Sequence, residues 1–99
     1  MNILLVCSSA MSTSLMVSRM EKIAKAEGKE YKIWAIPEGD IHEHMDDADV
    51  ILLAPQVRFL KNKIQSKCKG KPVGVIEIVD YGSCNGANVL KLAEEMCNK

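Results

Sequence analysis

Four short runs of mostly apolar residues recur along the chain, and their length and composition are those of β-strands. Residues 2–6 (NILLV), 50–54 (VILLA) and 73–79 (VGVIEIV) are apolar at nearly every position, like strands that are buried on both faces of a parallel sheet. Residues 31–36 (YKIWAI) begin with polar and apolar positions in alternation, which is typical of a strand nearer the edge of a sheet. The pattern therefore predicts four strands, one of them less buried than the others.

Segments with a helical period separate these strands. From Leu15 to Glu27 apolar residues recur three and four positions apart, and Gly28 follows as a C-terminal stop. A short second helix is expected to be capped by Asp40, with Glu43 as the partner in a capping box. The apolar positions that define the four predicted helices are Met16, Met20, Ile23 and Ala24; Ile41 and Met45; Val57, Leu60 and Ile64; and Val89, Leu92, Ala93 and Met96.

This alternation of strands and helices predicts a single doubly wound α/β domain over residues 1–99. Parallel strands joined by helices need right-handed crossovers, which place helices on both faces of the sheet. In such folds a ligand binds beyond the carboxyl ends of the strands, where the strand order reverses. If the first strand is central, Cys7 lies at that crevice.

Composition narrows the function classes. The chain has 13 lysines and arginines and 13 aspartates and glutamates, a balance that gives no indication of a nucleic-acid partner. No apolar run approaches the roughly 20 residues that span a bilayer, and no basic residue precedes the first run as in a signal peptide. We therefore expect a cytoplasmic protein. Its four cysteines lack the spacing of a zinc site or a redox pair and are expected to be reduced; they are Cys7, Cys68, Cys84 and Cys97.

The most informative stretch, LLVCSSAMSTSLMV at residues 4–17, joins the first strand to the first helix. Cys7 stands where the strand stops, and small, mostly hydroxylated residues lead into the helix. Backbone N–H groups at a helix start lack internal partners and carry the positive end of the dipole, so this loop suits an anion and favours a thiolate. The stretch predicts that Cys7 attacks a bound phosphate. The predicted phosphate-binding residues are Ser8, Ser9, Ala10, Met11, Ser12, Thr13 and Ser14.

The loop lacks the residues that several kinds of phosphate-binding site require. The loop has neither the Walker nor the dinucleotide-binding glycine pattern. A cysteine-dependent phosphatase would place an arginine at the far end of the loop, but Thr13 stands there and Arg19 lies further along the helix. A carrier benefits from lacking this clamp, because its phosphocysteine must survive until the acceptor arrives. A phosphatase or arsenate-reductase-like enzyme and an inactive anion-binding module, with Cys7 simply packed in the core, remain alternatives.

Other polar residues give weaker indications. Gln56 and Arg58 follow the third predicted strand and Tyr81 follows the fourth, so they are secondary site candidates. His42 and His44 would point apart on a helix, and no metal site is expected. A basic stretch after the third strand is either solvated surface or a contact for an acidic partner; it comprises Arg58, Lys61, Lys63, Lys67, Lys69 and Lys71.

Several of these motifs, in this order, resemble the IIB components of the bacterial phosphoenolpyruvate-dependent sugar phosphotransferase system, in the lactose, cellobiose and chitobiose branch. The specific match is CSSAMSTSLMVSRM; AIPE, ADVILLAPQV, KPVGVI and YG…NG…VLK follow at the expected spacing and extend the likeness over nearly the whole chain. Two positions differ: Ala10 stands where the family commonly has glycine, and Glu77 where it often has aspartate.

The resemblance implies a function and a fold. Cys7 would accept a phosphoryl group from a phosphohistidine on a IIA protein and pass it to a β-linked disaccharide, cellobiose- or chitobiose-like, held by the membrane transporter IIC. Ser8 to Ser14 would bind the phosphate, largely through backbone N–H groups, and no cofactor is expected. The implied fold is a four-stranded parallel sheet with helices on both sides, similar to the low-molecular-weight tyrosine phosphatases. IIC would place the protein at the inner membrane without insertion.

Overall fold

The computed structural model describes residues 1–8, 14–68 and 70–97. Within these ranges four parallel strands form one sheet, as the family resemblance predicts, and the strand order is β2-β1-β3-β4. The strands are β1 (Asn2–Cys7), β2 (Lys32–Pro37), β3 (Val50–Leu53) and β4 (Val73–Val75). The α-helices are α1 (Ser14–Ala26), α2 (Ile41–His44), α3 (Lys61–Lys67), α4 (Ile78–Gly82) and α5 (Gly86–Cys97). Short 3-10 helices occupy Glu38–Asp40, Met45–Asp47 and Pro55–Leu60.

Strand β1 is central, and its side chains alternate between two cores. Ile3 and Leu5 lie on one face against the apolar stripes of α1 and α5, whereas Leu4 and Val6 face α2, α3 and the chain that leads into them. All four side chains are fully buried. Strand β2 is at an edge, as its alternating sequence predicts, and the strand order reverses between β1 and β3.

Helix α1 ends as the sequence predicts. Gly28 has a positive φ of 73°, and its N–H donates to the Lys25 carbonyl oxygen at 3.1 Å. The N–H of Lys29 donates to the Ala24 carbonyl oxygen at 2.9 Å. These two bonds form a Schellman motif, which satisfies the last carbonyls of the helix and requires a left-handed residue at Gly28.

Two sequence-based predictions of element boundaries are wrong. The fourth strand ends at Val75 instead of continuing to residue 79, and Ile78 and Val79 begin helix α4. Its neighbour β3 ends at Leu53, so a longer β4 would have no partner for its backbone groups, whereas a helix pairs them locally. The predicted capping box at Asp40 is absent, because helical backbone already begins at Glu38 and Asp40 (φ −98°, ψ 7°) lacks an extended cap conformation.

None of the helices in the described ranges has both the length and the apolar character needed to cross a membrane.

A polar cluster joins α5 to the region that follows α1. The Glu94 carboxylate accepts hydrogen bonds from the Lys29 ammonium and, at 2.7 Å, from the Tyr31 hydroxyl. The hydrogen bond from Lys29 is the main cause of the lowered pKa of Glu94, and the hydrogen bond from Tyr31 lowers this pKa further. The same carboxylate raises the pKa of Lys29 and that of Tyr31.

This cluster predicts an acid-sensitive contribution to stability. Because the folded pKa of Glu94 is lowered, its contribution is present above the unfolded carboxyl pKa of about 4.3 and is lost as pH falls through the folded value. Because the cluster is partly exposed, solvent screening keeps this contribution small at pH 7. Urea unfolding should therefore show Glu94→Gln less stable than the unmodified protein at pH 7, with the difference shrinking as the pH is lowered below the unfolded carboxyl pKa. A difference that stays constant over this pH range would contradict the assignment.

Candidate active site

The candidate nucleophile, Cys7, is the last residue of the central strand. It lies at the carboxyl end of β1, beside the reversal of strand order between β1 and β3, and its Cα is paired with that of Pro37 on β2. Its side chain is fully buried, and the thiol donates to the Ile36 carbonyl oxygen with Sγ and O 3.6 Å apart. The topology thus places a thiol at the position where α/β sheets bind ligands.

The connection from Cys7 to α1 is described only at its two ends. Ser8 and Ser14 are both exposed, and Ser14 is the first residue of α1. The other predicted phosphate-binding residues lie outside the described residues; they are Ser9, Ala10, Met11, Ser12 and Thr13. Helix α1 thus begins seven residues after the thiol, and the anion-binding role of this connection stays a prediction.

The secondary candidates also lie beyond the carboxyl ends of strands. Gln56 and Arg58 belong to the 3-10 helix that follows β3; Gln56 is exposed, and Arg58 Nη1 donates to the Pro55 carbonyl oxygen at 3.2 Å. Tyr81 lies in α4 beyond β4 and packs against both cores. These residues share an edge of the sheet with Cys7, and their roles stay predictions.

Arg19, the arginine nearest to Cys7 in the sequence, holds a turn. Its Nη1 donates to the carbonyl oxygens of Ser83 and Cys84 at 3.2 and 3.0 Å. Cys84 has a positive φ of 52°, a conformation that is uncommon for residues other than glycine. The guanidinium thus stabilises the connection between α4 and α5.

The remaining cysteines and the two histidines have local environments of their own. Burial raises the pKa of the Cys68 thiol and that of the Cys97 thiol, which disfavours the reactive thiolate at both positions. His42 Nε2 lies 3.3 Å from Lys67 Nζ, and His44 Nδ1 accepts a hydrogen bond from the Trp34 indole at 3.2 Å. Within the described ranges, no three acidic, histidine or cysteine side chains are grouped as metal ligands.

The sequence prediction missed one feature of this edge of the sheet. Phe59 is 72% exposed, Ile78 69% and Val79 77%. The sequence predicts a strand for the apolar run that contains Ile78 and Val79, because periodicity alone does not distinguish a short buried strand from a short helix. The end of β3 at Leu53 is what terminates the strand, and it is a property of the tertiary fold.

Comparison with known proteins identifies the family. The family model described as "PTS system, Lactose/Cellobiose specific IIB subunit" matches residues 2–92. The galactose-specific EIIB component of Lactococcus lactis subsp. cremoris and the cellobiose-specific EIIB component of Lactococcus lactis subsp. lactis are each 42% identical over an alignment of 103 positions, gaps included, that spans 97% of this chain and 95% of each relative. The oligo-beta-mannoside-specific EIIB component of Bacillus subtilis is 40% identical over 93 residues, 92% of this chain and 90% of the relative.

Solved structures agree with this result. The cellobiose-specific phosphotransferase IIB component of Borrelia burgdorferi is 48% identical, with a TM-score of 0.82 over 99% of this chain and 92% of that one. The lactose-specific IIB component domain of Streptococcus pneumoniae has a TM-score of 0.84 over 97% and 96% of the two chains; at 17% identity it supports the fold alone. The chain therefore belongs to the lactose/cellobiose-specific IIB subunit family of the phosphotransferase system.

Proposed function

We propose that this protein is a phosphocarrier in sugar uptake and that Cys7 carries the phosphoryl group. The observation that supports the proposal most strongly is the position of Cys7: in a IIB-family chain it ends the central strand beside the reversal of strand order, and α1 begins at Ser14. Backbone N–H groups at the start of α1 and in Ser8 to Ser14 would neutralise the charge of the phosphoryl oxygens. Gln56, Arg58 and Tyr81 are secondary residues of the same proposal.

The proposed chemistry consists of two displacements at phosphorus. The Cys7 thiol first loses its proton, and the thiolate attacks the phosphohistidine of a IIA protein. The S–P bond forms as the N–P bond breaks, and the bonding electrons return to the imidazole nitrogen. A sugar hydroxyl then attacks phosphorus and loses its proton to solvent or a base, while the electrons of the S–P bond return to sulfur. Positioning of nucleophile and phosphorus in line supplies most of the catalysis.

The burial of Cys7 imposes a condition on this mechanism. The side chain has no exposed surface, and its thiol is directed to the Ile36 carbonyl oxygen. A nucleophile and its target must approach to about 3–3.5 Å before bonding. The sulfur atom must therefore become accessible when the phosphoryl donor binds.

Membership of the family supports the proposed partners and location. IIA is the phosphoryl donor, and the membrane transporter IIC holds the sugar that accepts the group, so the protein acts in the cytoplasm at the inner membrane. The proposed sugar is a β-linked disaccharide of the cellobiose or chitobiose type. Relatives named for cellobiose at 42% and 48% identity support this choice, although a relative named for galactose is equally similar at 42%.

Radiolabel transfer tests the proposal. Labelled phosphoenolpyruvate, the general phosphotransfer proteins and a cognate IIA should together transfer label to this protein in stoichiometric amount. Addition of membranes with the matching IIC should then release the label to cellobiose or chitobiose and not to galactose. If a demonstrably labelled IIA from the same system transfers nothing, the carrier proposal is wrong.

The role of Arg19 separates a carrier from a phosphatase. Arg19→Gln removes both bonds to the 83–84 turn and should lower the free energy of unfolding by about 1–2 kcal/mol. Transfer of label to Cys7 should persist in the folded variant, because the role of Arg19 is to stabilise the turn. Thermal unfolding and the transfer assay measure the two effects separately. Loss of transfer with unchanged stability would instead indicate a phosphate-binding guanidinium, as in a phosphatase.

A further inference from the structure

Asn85 and Gly86 form the one Asn-Gly sequence of the chain, and they lie where the turn after α4 meets α5. An asparagine side chain can be attacked by the backbone nitrogen of the next residue, and glycine hinders this attack least because it has no Cβ. Each of the other asparagines is followed by a larger residue; they are Asn2, Asn62, Asn88 and Asn98. Asn85 is therefore the position of this chain that is most susceptible to spontaneous deamidation.

Deamidation at this position consumes only water. The Gly86 nitrogen gives its proton to a solvent base and attacks Asn85 Cγ; the N–Cγ bond forms, and the Cγ–Nδ2 bond breaks. The Nδ2 group takes the electron pair and a proton from solvent and leaves as ammonia. Water then opens the cyclic imide at either carbonyl. Cleavage of the new N–Cγ bond gives aspartate, whereas cleavage of the original peptide bond gives isoaspartate, in which the main chain passes through the side chain.

The fold engages both reacting groups of this pair. The Gly86 N–H donates to the Cys84 carbonyl oxygen at 2.9 Å, and Asn85 Oδ1 accepts a hydrogen bond from the Asn88 N–H at 3.0 Å. The Asn85 N–H donates to the Asp80 carbonyl oxygen at 2.8 Å. The attacking nitrogen is thus bound to another acceptor, and the amide that it must reach caps α5. Closure of the imide ring requires these bonds to break.

Arg19 and the attacking nitrogen share one acceptor. The Cys84 carbonyl oxygen that binds the Gly86 N–H also accepts a hydrogen bond from Arg19 Nη1 at 3.0 Å. Cys84 has a positive φ, which is unfavourable for a residue with a side chain, so the turn depends on such contacts. An open groove of about 460 Å³ between the turn and α1 is lined by Asn85 and Gly86, so water reaches the pair. Conformation therefore limits the reaction.

We propose that Asn85 is a deamidation site whose rate is set by opening of the turn between α4 and α5, and that Arg19 keeps this turn closed. A reaction that occurs only in a locally opened state proceeds in proportion to the population of that state. Aspartate caps a helix as well as asparagine does, so the aspartate product keeps α5 intact. Isoaspartate lengthens the main chain beside Gly86, which packs against α1 without room for a Cβ, and should separate the two helices.

Deamidation at Asn85 is measured by incubation at neutral pH, digestion under mildly acidic conditions and mass spectrometry. The folded protein should react at least about tenfold more slowly than the same chain unfolded in guanidinium chloride. Arg19→Gln should accelerate the reaction of the folded protein about 5–30-fold, because a weaker turn opens more often. Two controls should leave the rate nearly unchanged. Lys22→Gln removes a neighbouring exposed cation of α1, and Ile51→Val destabilises the core on the other face of the sheet.

The proposal is wrong if Arg19→Gln deamidates at the unmodified rate, or if folding does not slow the reaction of the unmodified protein. It is also wrong if Ile51→Val accelerates the reaction as much as Arg19→Gln, because deamidation would then require unfolding of the whole domain. Asn85→Asp reproduces the aspartate product and should melt at nearly the temperature of the unmodified protein. The isoaspartate form, separated from an aged sample, should melt at a lower temperature. Equal melting of these two forms would contradict the effect assigned to isoaspartate.

Discussion

Replacement of Cys7 by serine is expected to abolish phosphoryl transfer while the fold persists. A serine hydroxyl has nearly the shape of the thiol, but at neutral pH it has almost no anionic form and is a far weaker nucleophile. The expected loss is at least about 10³-fold in the rate of label uptake, comparable to the removal of other catalytic nucleophiles. The measurement is label transfer from phosphorylated IIA, with circular dichroism and thermal unfolding as tests of the fold.

Stability is the necessary control, because Cys7 is fully buried at the end of the central strand. The serine hydroxyl can donate to the Ile36 carbonyl oxygen, to which the thiol already donates, so its burial is partly compensated. Cys68→Ser is the matched variant, since Cys68 is also buried but lies at the end of α3. It should keep full transfer. Label uptake by Cys7→Ser at the unmodified rate would contradict the mechanism.

Gly86→Ala is expected to destabilise the protein by about 1–2 kcal/mol, with a fall in melting temperature of about 4–15 °C for a domain of this size. A Cβ at Gly86 would lie 2.9 Å from the Arg19 Cβ and 3.1 Å from backbone atoms of Arg19 and Met20. These atoms belong to the body of α1 and cannot move singly. The two helices would have to separate, and the loss outweighs the gain in helix propensity that alanine brings.

Gly74→Ala is the matched control for this prediction. A Cβ at Gly74 would also be crowded, at 2.6 Å from Met96 Sδ and 2.8 Å from its Cε, but these atoms are the far end of a flexible side chain. We therefore expect a smaller loss, below about 1 kcal/mol. Thermal unfolding of the two variants shows which of them is the less stable. If the Gly86→Ala variant is at least as stable as the Gly74→Ala variant, the close packing of α1 and α5 is contradicted.

Elements with a long, regular pattern were predictable from the sequence. Helix α1 has an apolar stripe over almost four turns and a glycine after its end. Burial of Met16, Met20 and Ala24 confirms the stripe, and the Schellman motif at Gly28 confirms the stop. Strand β1 was recognisable because its five apolar residues face two cores at once. Cys7 followed from the same reasoning, since its position depends only on where β1 stops and α1 begins.

Features that depend on neighbouring elements were not predictable. The end of β4 at Val75 is set by the end of β3, which no local pattern in residues 73–79 records. The missing cap at Asp40 reflects a helical turn that already starts at Glu38. The exposure of Phe59 and of Val79 likewise depends on the packing around them, because an apolar residue in a short segment is equally compatible with the core.

Mapping the phosphoryl group on the labelled protein would test the central claim most directly. The protein is labelled through a cognate IIA, digested at neutral pH and analysed by tandem mass spectrometry under conditions that preserve the S–P bond. We predict one phosphoryl group, on the peptide that contains Cys7, with the mass increment on the sulfur of that residue. A phosphoryl group found on a serine, a histidine or another cysteine would contradict the account.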